Sequence, residues 1–283
     1  MKQFFLITNH CKDPELSVSN AVITYLHEHG GKAQLRLVEA DGPEKHMIPE
    51  EVPPETECIL VLGGDGTLVR AAVDLVSLQI PLLGINLGTL GFLAEIDRDS
   101  IYSALDAVLD DRFNIQNRMM LRGDVWHEGE KIYSGRSLNE IVVCRDGLPH
   151  IIPLKNYVNG KYLNSYQAEG LIVSTATGST GYSLSVGGPI IAPQAELFLM
   201  TPLAPHTLNT RSVILREESR IRIEVDVGHT GAVRDAAAMF DGGKACSLVT
   251  GDYVEIRKAG NSAKFIRISD DSFLETLQRK MKQ

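Results

Sequence analysis

Residues 58–70 read CILVLGGDGTLVR, an apolar run that enters a glycine-rich turn and continues as a helical pattern. The apolar run followed by Gly63 and Gly64 predicts a buried strand that ends in a tight turn. A helix is expected over residues 67–79, where apolar residues recur with a helical period. Such a turn favours an anion, because glycines let a phosphate approach closely and the first amides of a helix have no partner.

Asp65 is the unusual residue of this turn. A carboxylate repels a phosphate, so a simple phosphate cradle has no need of one. Its presence is explained if Asp65 orients an attacking hydroxyl and accepts its proton, or holds the Mg²⁺ that accompanies ATP. The alternative is a structural turn in which Asp65 caps the helix. Arg70, one turn further on, is either a phosphate ligand or part of a solvated helix face.

The composition limits the class of protein. The 283 residues suffice for two ordinary domains, and 43% hydrophobic and 23% charged residues are typical of a globular chain. The formal net charge of −8 argues against a nucleic-acid partner. No run approaches the length of a membrane span, so no membrane partner is predicted. The four cysteines are far apart and lack metal-binding spacing, which predicts a cytoplasmic protein without disulfides or structural metal.

The hydrophobic pattern changes near residue 112. Before it, apolar runs alternate with helical patterns, which predicts a Rossmann-like α/β domain with a parallel sheet over residues 1–111. After it, short alternating runs predict a mostly antiparallel β domain over residues 112–268. Gly260-Asn261, between two such runs, is interpreted as a hairpin turn. A helical pattern within residues 269–283 closes the chain.

A second polar motif lies in the predicted β domain. Residues 169–190 read EGLIVSTATGSTGYSLSVGGPI, a buried run followed by a segment rich in hydroxyls and glycines. Hydroxyls both donate and accept hydrogen bonds, which suits a ribose, and small residues allow an aromatic base to lie on the backbone. A Ser- and Thr-rich turn without a ligand is the structural alternative.

Several motifs follow one another along nearly the whole chain: GGDGT, GINLGTLGFLAEI, Asn139-Glu140, STATGSTGYSLSVGGPI, TPLAPHTLNTR and FDGG. In this series the sequence closely resembles the bacterial ATP-dependent NAD kinases. The resemblance implies transfer of the ATP γ-phosphate to the 2′-hydroxyl of the adenosine ribose of NAD, with Mg²⁺ accompanying ATP. It also implies a homo-oligomer, a dimer or a tetramer, and a C-terminal segment that returns to the first domain.

The resemblance assigns roles to residues at matching positions. Asp65 is the predicted catalytic residue, which orients the hydroxyl and accepts its proton. The residues expected to bind ATP phosphates are Gly63, Gly64, Gly66 and Thr67. The residues expected to bind NAD are Asp65, Gly66, Arg70, Asn139, Glu140, Glu169, Thr180, Gly181, Tyr182, Ser183 and Ser185. No protein side chain is predicted to ligate a metal.

Some positions depart from the family pattern. Glu169 stands where Asp is usual, Ala176 where Pro, Gly181 where Ala, Ser212 where Pro, and Gly243 where Gln. Two alternatives stay open: a lipid or sugar kinase, since such kinases share GGDGT, and a non-catalytic paralogue that binds NAD, which only these departures support. A lipid kinase needs an apolar entry for acyl chains, whereas the second motif offers hydroxyls.

Overall fold

The computed structural model describes residues 1–39, 46–88, 91–147, 150–207, 210–227, 235–268 and 273–281. The chain divides into two compact units. Unit 1 comprises Met1–Arg118 together with Asn261–Gln283, and unit 2 is the continuous stretch Met119–Gly260. None of the helices in the described ranges combines the length and apolar character that a membrane span requires.

Unit 1 is built on a six-stranded, mostly parallel sheet. Its strands are β1 (Gln3–Asn9), β2 (Lys32–Val38), β3 (Cys58–Gly63), β4 (Leu82–Asn86), β5 (Asn114–Arg118) and β18 (Ala263–Arg267). Its helices are α1 (Ser17–Glu28), α2 (Asp65–Asp74), α3 (Ile101–Leu109) and α5 (Phe273–Met281). The strand order is β2-β1-β3-β4-β18-β5, and only the β18–β5 pair is antiparallel.

Helices explain why the central strands of unit 1 are apolar throughout. Every residue of β3 is buried, as expected for a parallel strand covered on both faces. Leu26 of α1 and Leu105 of α3 pack with Leu60 on one face of the sheet. On α2, Leu68 lies so close to Gly84 of β4 that a Cβ at Gly84 would come within 2.4 Å of it.

The strand order of unit 1 creates a crevice. β1 has β2 on one side and β3 on the other, so the chain changes direction across the sheet between β1 and β3. Ligands of open α/β sheets bind at the carboxyl ends of the strands flanking such a switch point. The loop after β1 and the β3–α2 turn meet there, where Asn9 Nδ2 donates to Thr67 Oγ1 at 3.1 Å.

Unit 2 contains two six-stranded antiparallel sheets. Its strands are β6 (Leu121–His127), β7 (Glu130–Ser137), β8 (Glu140–Arg145), β9 (Ile152–Val158), β10 (Lys161–Ala168), β11 (Gly170–Ser174), β12 (Leu197–Leu203), β13 (Val213–Arg216), β14 (Ile221–Val225), β15 (Ala236–Phe240), β16 (Gly243–Leu248) and β17 (Tyr253–Lys258). A short helix, α4, spans Tyr182–Ser185. The sheet orders are β10-β9-β14-β17-β6-β7 and β13-β12-β11-β8-β15-β16.

Alternate residues of both sheets form one shared core in unit 2. Ile141 and Val143 of β8 and Ile221 and Ile223 of β14 are buried in the same hydrophobic cluster. This is the arrangement of a β-sandwich, in which two inner faces interdigitate. The residues that alternate with Ile141 and Val143 on β8, of which Glu140 is the first, therefore lie on the opposite face of the second sheet.

The predicted fold class is confirmed, but several element boundaries differ. β5 and β18 belong to the sheet of unit 1, so residues 112–118 and 261–268 do not group with the β domain as the pattern indicated. The hairpin interpretation of Gly260-Asn261 is wrong, because β17 pairs with β6 and β14 whereas β18 pairs with β4 and β5. The helix expected over residues 67–79 is α2 followed by a 3₁₀ turn, Val76–Leu78.

Candidate functional site

Asp65 is the first residue of α2, and the backbone of another loop holds its carboxylate. Oδ2 accepts hydrogen bonds from the amides of Phe92 at 2.8 Å and Leu93 at 3.2 Å, and Oδ1 accepts one from Ala94 at 3.0 Å. A carboxylate has about four lone-pair positions, so about one remains for a further donor. The side chain is thus fixed in direction yet still able to accept one hydrogen bond.

Gly91 makes this arrangement possible. A Cβ at Gly91 would lie 2.0 Å from all three atoms of the Asp65 carboxyl group. The loop that follows β4 therefore approaches Asp65 as closely as backbone can. Glycine is required here for space rather than for backbone conformation, since the φ of Gly91 is not positive.

The glycines of the β3–α2 turn differ in what surrounds them. A Cβ at Gly64 or Gly66 would meet nothing within 4 Å, whereas one at Gly63 would lie 2.8 Å from Thr67 Oγ1. Packing within the described structure thus demands glycine only at the first of these positions. The open space at Gly64 and Gly66 leaves the first amides of α2 accessible to an anion. Arg70 is half-buried on the same helix.

Unit 1 also contains a basic residue that the sequence pattern did not single out. The ammonium group of Lys12 lies 3.6 Å from the position of a Cβ at Gly88, so it reaches the loop after β4. Lys12 follows β1 and therefore lies at the same sheet edge as Asp65. A lone lysine in a loop carries no recognisable pattern, which is why the sequence gives no signal for it.

In unit 2 the predicted residues converge on one end of β8. This strand lies between β11 and β15, with Ser174 opposite Glu140 and Phe240 opposite Ile141. Because both neighbours are antiparallel to β8, their last residues meet its first residues. The turn after β11 and the turn after β15 are therefore both adjacent to Asn139 and Glu140.

The turn after β11 rests on the backbone of Asn139. The Thr175 amide donates to the Asn139 carbonyl at 2.9 Å, and Thr175 Oγ1 donates to the Leu138 carbonyl at 2.7 Å. The Gly178 amide in turn donates to Thr175 Oγ1 at 3.1 Å. A Cβ at Gly178 would lie 2.2 Å from the Asn139 carbonyl oxygen, so only glycine permits this contact.

The hydroxyls of the second motif fall into two groups. The Ser183 side chain is buried and its Oγ bonds Thr201 Oγ1 at 3.0 Å, while Thr180 Oγ1 donates to the Thr177 carbonyl at 3.2 Å. These two hydroxyls serve the fold of the segment. Tyr182 and Ser185 are exposed and are available to a ligand.

Two acidic residues meet at the start of β8. The Asp241 carboxylate accepts the amides of Leu138, Asn139 and Glu140 at 2.7, 2.9 and 3.0 Å. Burial raises the pKa of Asp241 to about 6 despite these three hydrogen bonds. Burial also raises the pKa of Glu140 to about 7, with a further contribution from the charge of Asp241. Asp241 lies in the FDGG motif, whose pattern predicts no individual role for it.

Glu169 lies at the other end of β8. Its Oε2 accepts from Arg145 Nε at 3.0 Å, and both side chains are partly exposed. Arg145 is five positions after Glu140 along β8, a length of roughly 16 Å along the strand. Burial raises the pKa of the Tyr182 phenol, and the charges of Glu169 and Glu140 contribute to the same direction. Gly181 adjoins Glu140, because a Cβ there would lie 3.3 Å from Oε2.

These features define a class of protein. A glycine turn at a helix N-terminus with an oriented carboxylate, on an α/β sheet followed by a β-sandwich, is the equipment of a phosphotransferase. The models of the ATP-NAD kinase N-terminal domain and the ATP-NAD kinase C-terminal domain match residues 9–113 and 138–268. The chain belongs to the ATP-NAD kinase family.

Individual relatives agree over the full length. The chain is 41% identical to an NAD kinase of Lachnospira eligens, covering 99% of this chain and 100% of that protein. It is 40% identical to an NAD kinase of Agathobacter rectalis, covering 99% of each. Yeast NADH kinase complexed with NADH has the same fold, with a TM-score of 0.83 at 24% identity over 100% of this chain and 88% of that one.

Proposed function

We propose that the protein is an NAD kinase that transfers the γ-phosphate of ATP to the 2′-hydroxyl of the adenosine ribose of NAD. The 2′-oxygen forms a bond to the γ-phosphorus as the bond from that phosphorus to the β–γ bridging oxygen breaks. The hydroxyl proton passes to the Asp65 carboxylate, and NADP and ADP are the products. Positioning and neutralisation of charge dominate such reactions.

The geometry of Asp65 carries this proposal. Three backbone amides fix the direction of its carboxylate at the carboxyl edge of the parallel sheet, and about one lone pair stays open. A structural cap would be directed at the first amides of its own helix. Asp65 is instead held by a different loop, as a proton acceptor requires.

Backbone amides and one cationic side chain of unit 1 are suited to the phosphates of ATP. The amides of Gly64 and Gly66 suit the ATP phosphates, with Arg70 as an additional cationic group. Gly63 and Thr67 shape the turn, since the Thr67 amide donates to the Gly64 carbonyl at 3.0 Å. Among the described residues, no group of three His, Cys, Asp or Glu side chains is arranged so that it could hold a metal ion. Mg²⁺ is therefore proposed to be carried on the ATP phosphates, without a side-chain ligand from the protein. When bound, the cation would neutralise charge on the transferring phosphate.

The residues assigned to NAD binding in unit 2 are Asn139, Glu140, Glu169, Thr180, Gly181, Tyr182, Ser183 and Ser185. Asn139 and Glu140 supply an amide and a carboxyl group for the adenosine part. Tyr182 and Ser185 are the exposed members, whereas Thr180 and Ser183 act through the fold of the segment. The enzyme is proposed to work in the cytoplasm as a homo-oligomer, in line with the family resemblance.

The test is NADP formation from NAD, ATP and Mg²⁺ by the wild type and by Asp65→Asn. Asparagine is nearly isosteric but cannot take the proton, so we expect turnover to fall by about 10²–10⁴-fold. NAD should still raise the melting temperature of the variant, because a ligand that binds only the folded state stabilises it. Asp99→Asn, an exposed position on a different element, is the matched control and should keep full activity.

Other results would contradict the proposal. An Asp65→Asn variant with more than half of the wild-type rate would make Asp65 a structural cap. Phosphorylation of a lipid or sugar, with no NADP formed, would establish the other kinase class. Binding of NAD by the wild type without any turnover would indicate a non-catalytic paralogue.

A further inference from the structure

The turn of the β15–β16 hairpin has a conformation that does not by itself explain its aspartate. Asp241 and Gly242 have φ of 43° and 81°, the positive values that a type I′ turn requires at both central positions. Two other hairpins share this pattern, at Glu128-Gly129 and at Asn159-Gly160. Asn-Gly, Asp-Gly and Gly-Gly all suit such turns. The identity of the first residue is therefore free to serve another purpose.

Only at Asp241 does that side chain hold a whole segment. The exposed Glu128 is at a hairpin tip, and Asn159 Oδ1 accepts a single amide, that of Arg220 at 2.9 Å. Asp241 accepts three consecutive amides, two of them belonging to Asn139 and Glu140. The Asp241 amide in turn donates to the Glu140 carbonyl at 3.1 Å. The backbone that carries both side chains is thus fixed from one turn.

Glu140 has an unusual environment. Its side chain is nearly fully buried, and Oε2 has no hydrogen-bond partner among the described residues. The groups that face it are Asp241 from the β15–β16 turn and the Tyr182 amide from α4. Beyond Tyr182 lie Glu169 and Arg145, which pair with each other. A buried carboxyl oxygen without a partner, beside a segment assigned to a ribose, is a site for a hydroxyl donor.

We propose that Asp241 is a positioning residue for NAD binding, which fixes the Asn139–Glu140 backbone and sets the charge of the Glu140 carboxyl group by its own. The proposal rests on the proposed function, since NAD is the ligand. Glu140 acts in its ionised form as an acceptor for an adenosine hydroxyl. Asp241 touches no substrate and acts through its neighbour.

A pH dependence follows from this arrangement. Burial raises the pKa of Glu140 to about 7, with a contribution from the charge of Asp241, and burial raises the pKa of Asp241 to about 6, so both titrations lie near neutral pH. Below them Glu140 is protonated and loses its role as an acceptor. NAD affinity is therefore expected to increase as the pH rises through about 7 and to level off above it.

The experiment measures the NAD dissociation constant by calorimetry without ATP, from pH 5.5 to 8.5. The variant Asp241→Asn keeps a favourable turn residue but places an NH₂ group against an amide donor. We expect about tenfold weaker binding at pH 8, and an inflection shifted to lower pH because the neighbouring charge is gone. Asp241→Gly also suits the turn and should show the same shift. At saturating NAD, kcat should change less than KM, because Asp65 is untouched.

Two controls make the outcome decisive. Glu128→Gln neutralises the corresponding residue of another hairpin and should leave affinity and inflection unchanged. Glu140→Gln should abolish the inflection at about pH 7 and leave only the titration of Asp241 at about 6. Equal affinity and an unshifted inflection in Asp241→Asn and Asp241→Gly would overturn the inference, as would an inflection at about pH 7 that survives Glu140→Gln. A wild type that binds no NAD at any pH would instead overturn the proposed function.

Discussion

Asp65 in unit 1 and Asp241 in unit 2 make the same pattern of bonds for opposite ends. Each carboxylate accepts three consecutive backbone amides, those of residues 92–94 in one case and 138–140 in the other. In unit 1 the amides belong to a loop that positions the carboxylate. In unit 2 the amides belong to Leu138 and the predicted binding residues Asn139 and Glu140, and the carboxylate positions their backbone.

The surroundings of the two carboxylates differ accordingly. Asp65 lies at the start of α2, where the helix dipole favours a negative charge. Asp241 lies next to a second, buried carboxyl group, and the pKa values of both are raised. The same three hydrogen bonds therefore serve a charge that is favourable in one place and costly in the other. Hydrogen-bond geometry alone does not distinguish a reacting group from a positioning one.

The largest of these effects, a fall in kcat, is expected from a substitution at Gly91. Gly91→Ala would place a methyl group 2.0 Å from the Asp65 carboxyl atoms, so the carboxylate or its loop must move. A displacement of about 1 Å can cost on the order of 10²-fold in rate, and we expect kcat to fall by about that factor with NAD binding intact. Steady-state kinetics checks this.

Gly88→Ala is the matched control for that variant. Among the described residues, a Cβ at Gly88 would meet only the flexible end of Lys12, at an ordinary contact distance of 3.6 Å. We expect it to keep most of the activity. If the two alanine variants had equal kcat, the close approach of the loop to Asp65 would not matter for turnover.

A smaller effect should separate stability from binding at Glu140. A raised folded-state pKa means that the Glu140 carboxyl group contributes stability while protonated and loses it as the pH rises through about 7. Glu140→Gln removes the buried charge, so it should increase the free energy of unfolding at pH 8 by about 2 kcal/mol. The gain should shrink as the pH falls to 5, where Glu140 is protonated in the folded protein. Urea unfolding at both pH values measures it, and a loss of stability at pH 8 would contradict the assignment.

The smallest effect is expected at the far end of β8. Glu169→Asp shortens the side chain by roughly 1.5 Å and withdraws the carboxylate from Arg145 Nε. A partly exposed ion pair contributes up to about 1 kcal/mol, so KM for NAD should rise less than about fivefold. In an Arg145→Met background the same substitution should have no further effect. Additive changes in KM across this double-mutant cycle would show that Arg145 does not hold Glu169.

The sequence predicted what local pattern determines. GGDGT placed Asp65 between a strand and a helix because apolar period and turn chemistry are legible over a dozen residues. The amides that hold its carboxylate come from 27 to 29 residues away and belong to backbone, which carries no side-chain signature. Asp241 is 101 residues from Glu140, and only its Asp-Gly turn is visible in the sequence.

For other residues and strands, the sequence indicates that they are present but not what they contact. The contact of Thr180 and Ser183 with NAD stays a prediction, because a hydroxyl suits a ribose but suits backbone and other hydroxyls equally well. Their bonds to Thr177 and Thr201 are tertiary contacts that no pattern encodes. Likewise, the sequence pattern of β5 and β18 indicates strands but does not indicate which sheet they join. The sequence indicates the type of a residue or element, but it does not indicate the tertiary partner.

The division of the sheet in unit 1 has a consequence for biosynthesis. β18 is made after the whole of unit 2, yet it lies between β4 and β5. Unit 2 is one uninterrupted stretch whose ends meet, with the Ala259 amide donating to the Met120 carbonyl at 2.8 Å. As the chain leaves the ribosome, unit 2 is complete once residue 260 has emerged, whereas the central sheet of unit 1 must wait with a gap for β18. The segment that carries GGDGT is thus translated early and is the last to have its sheet closed.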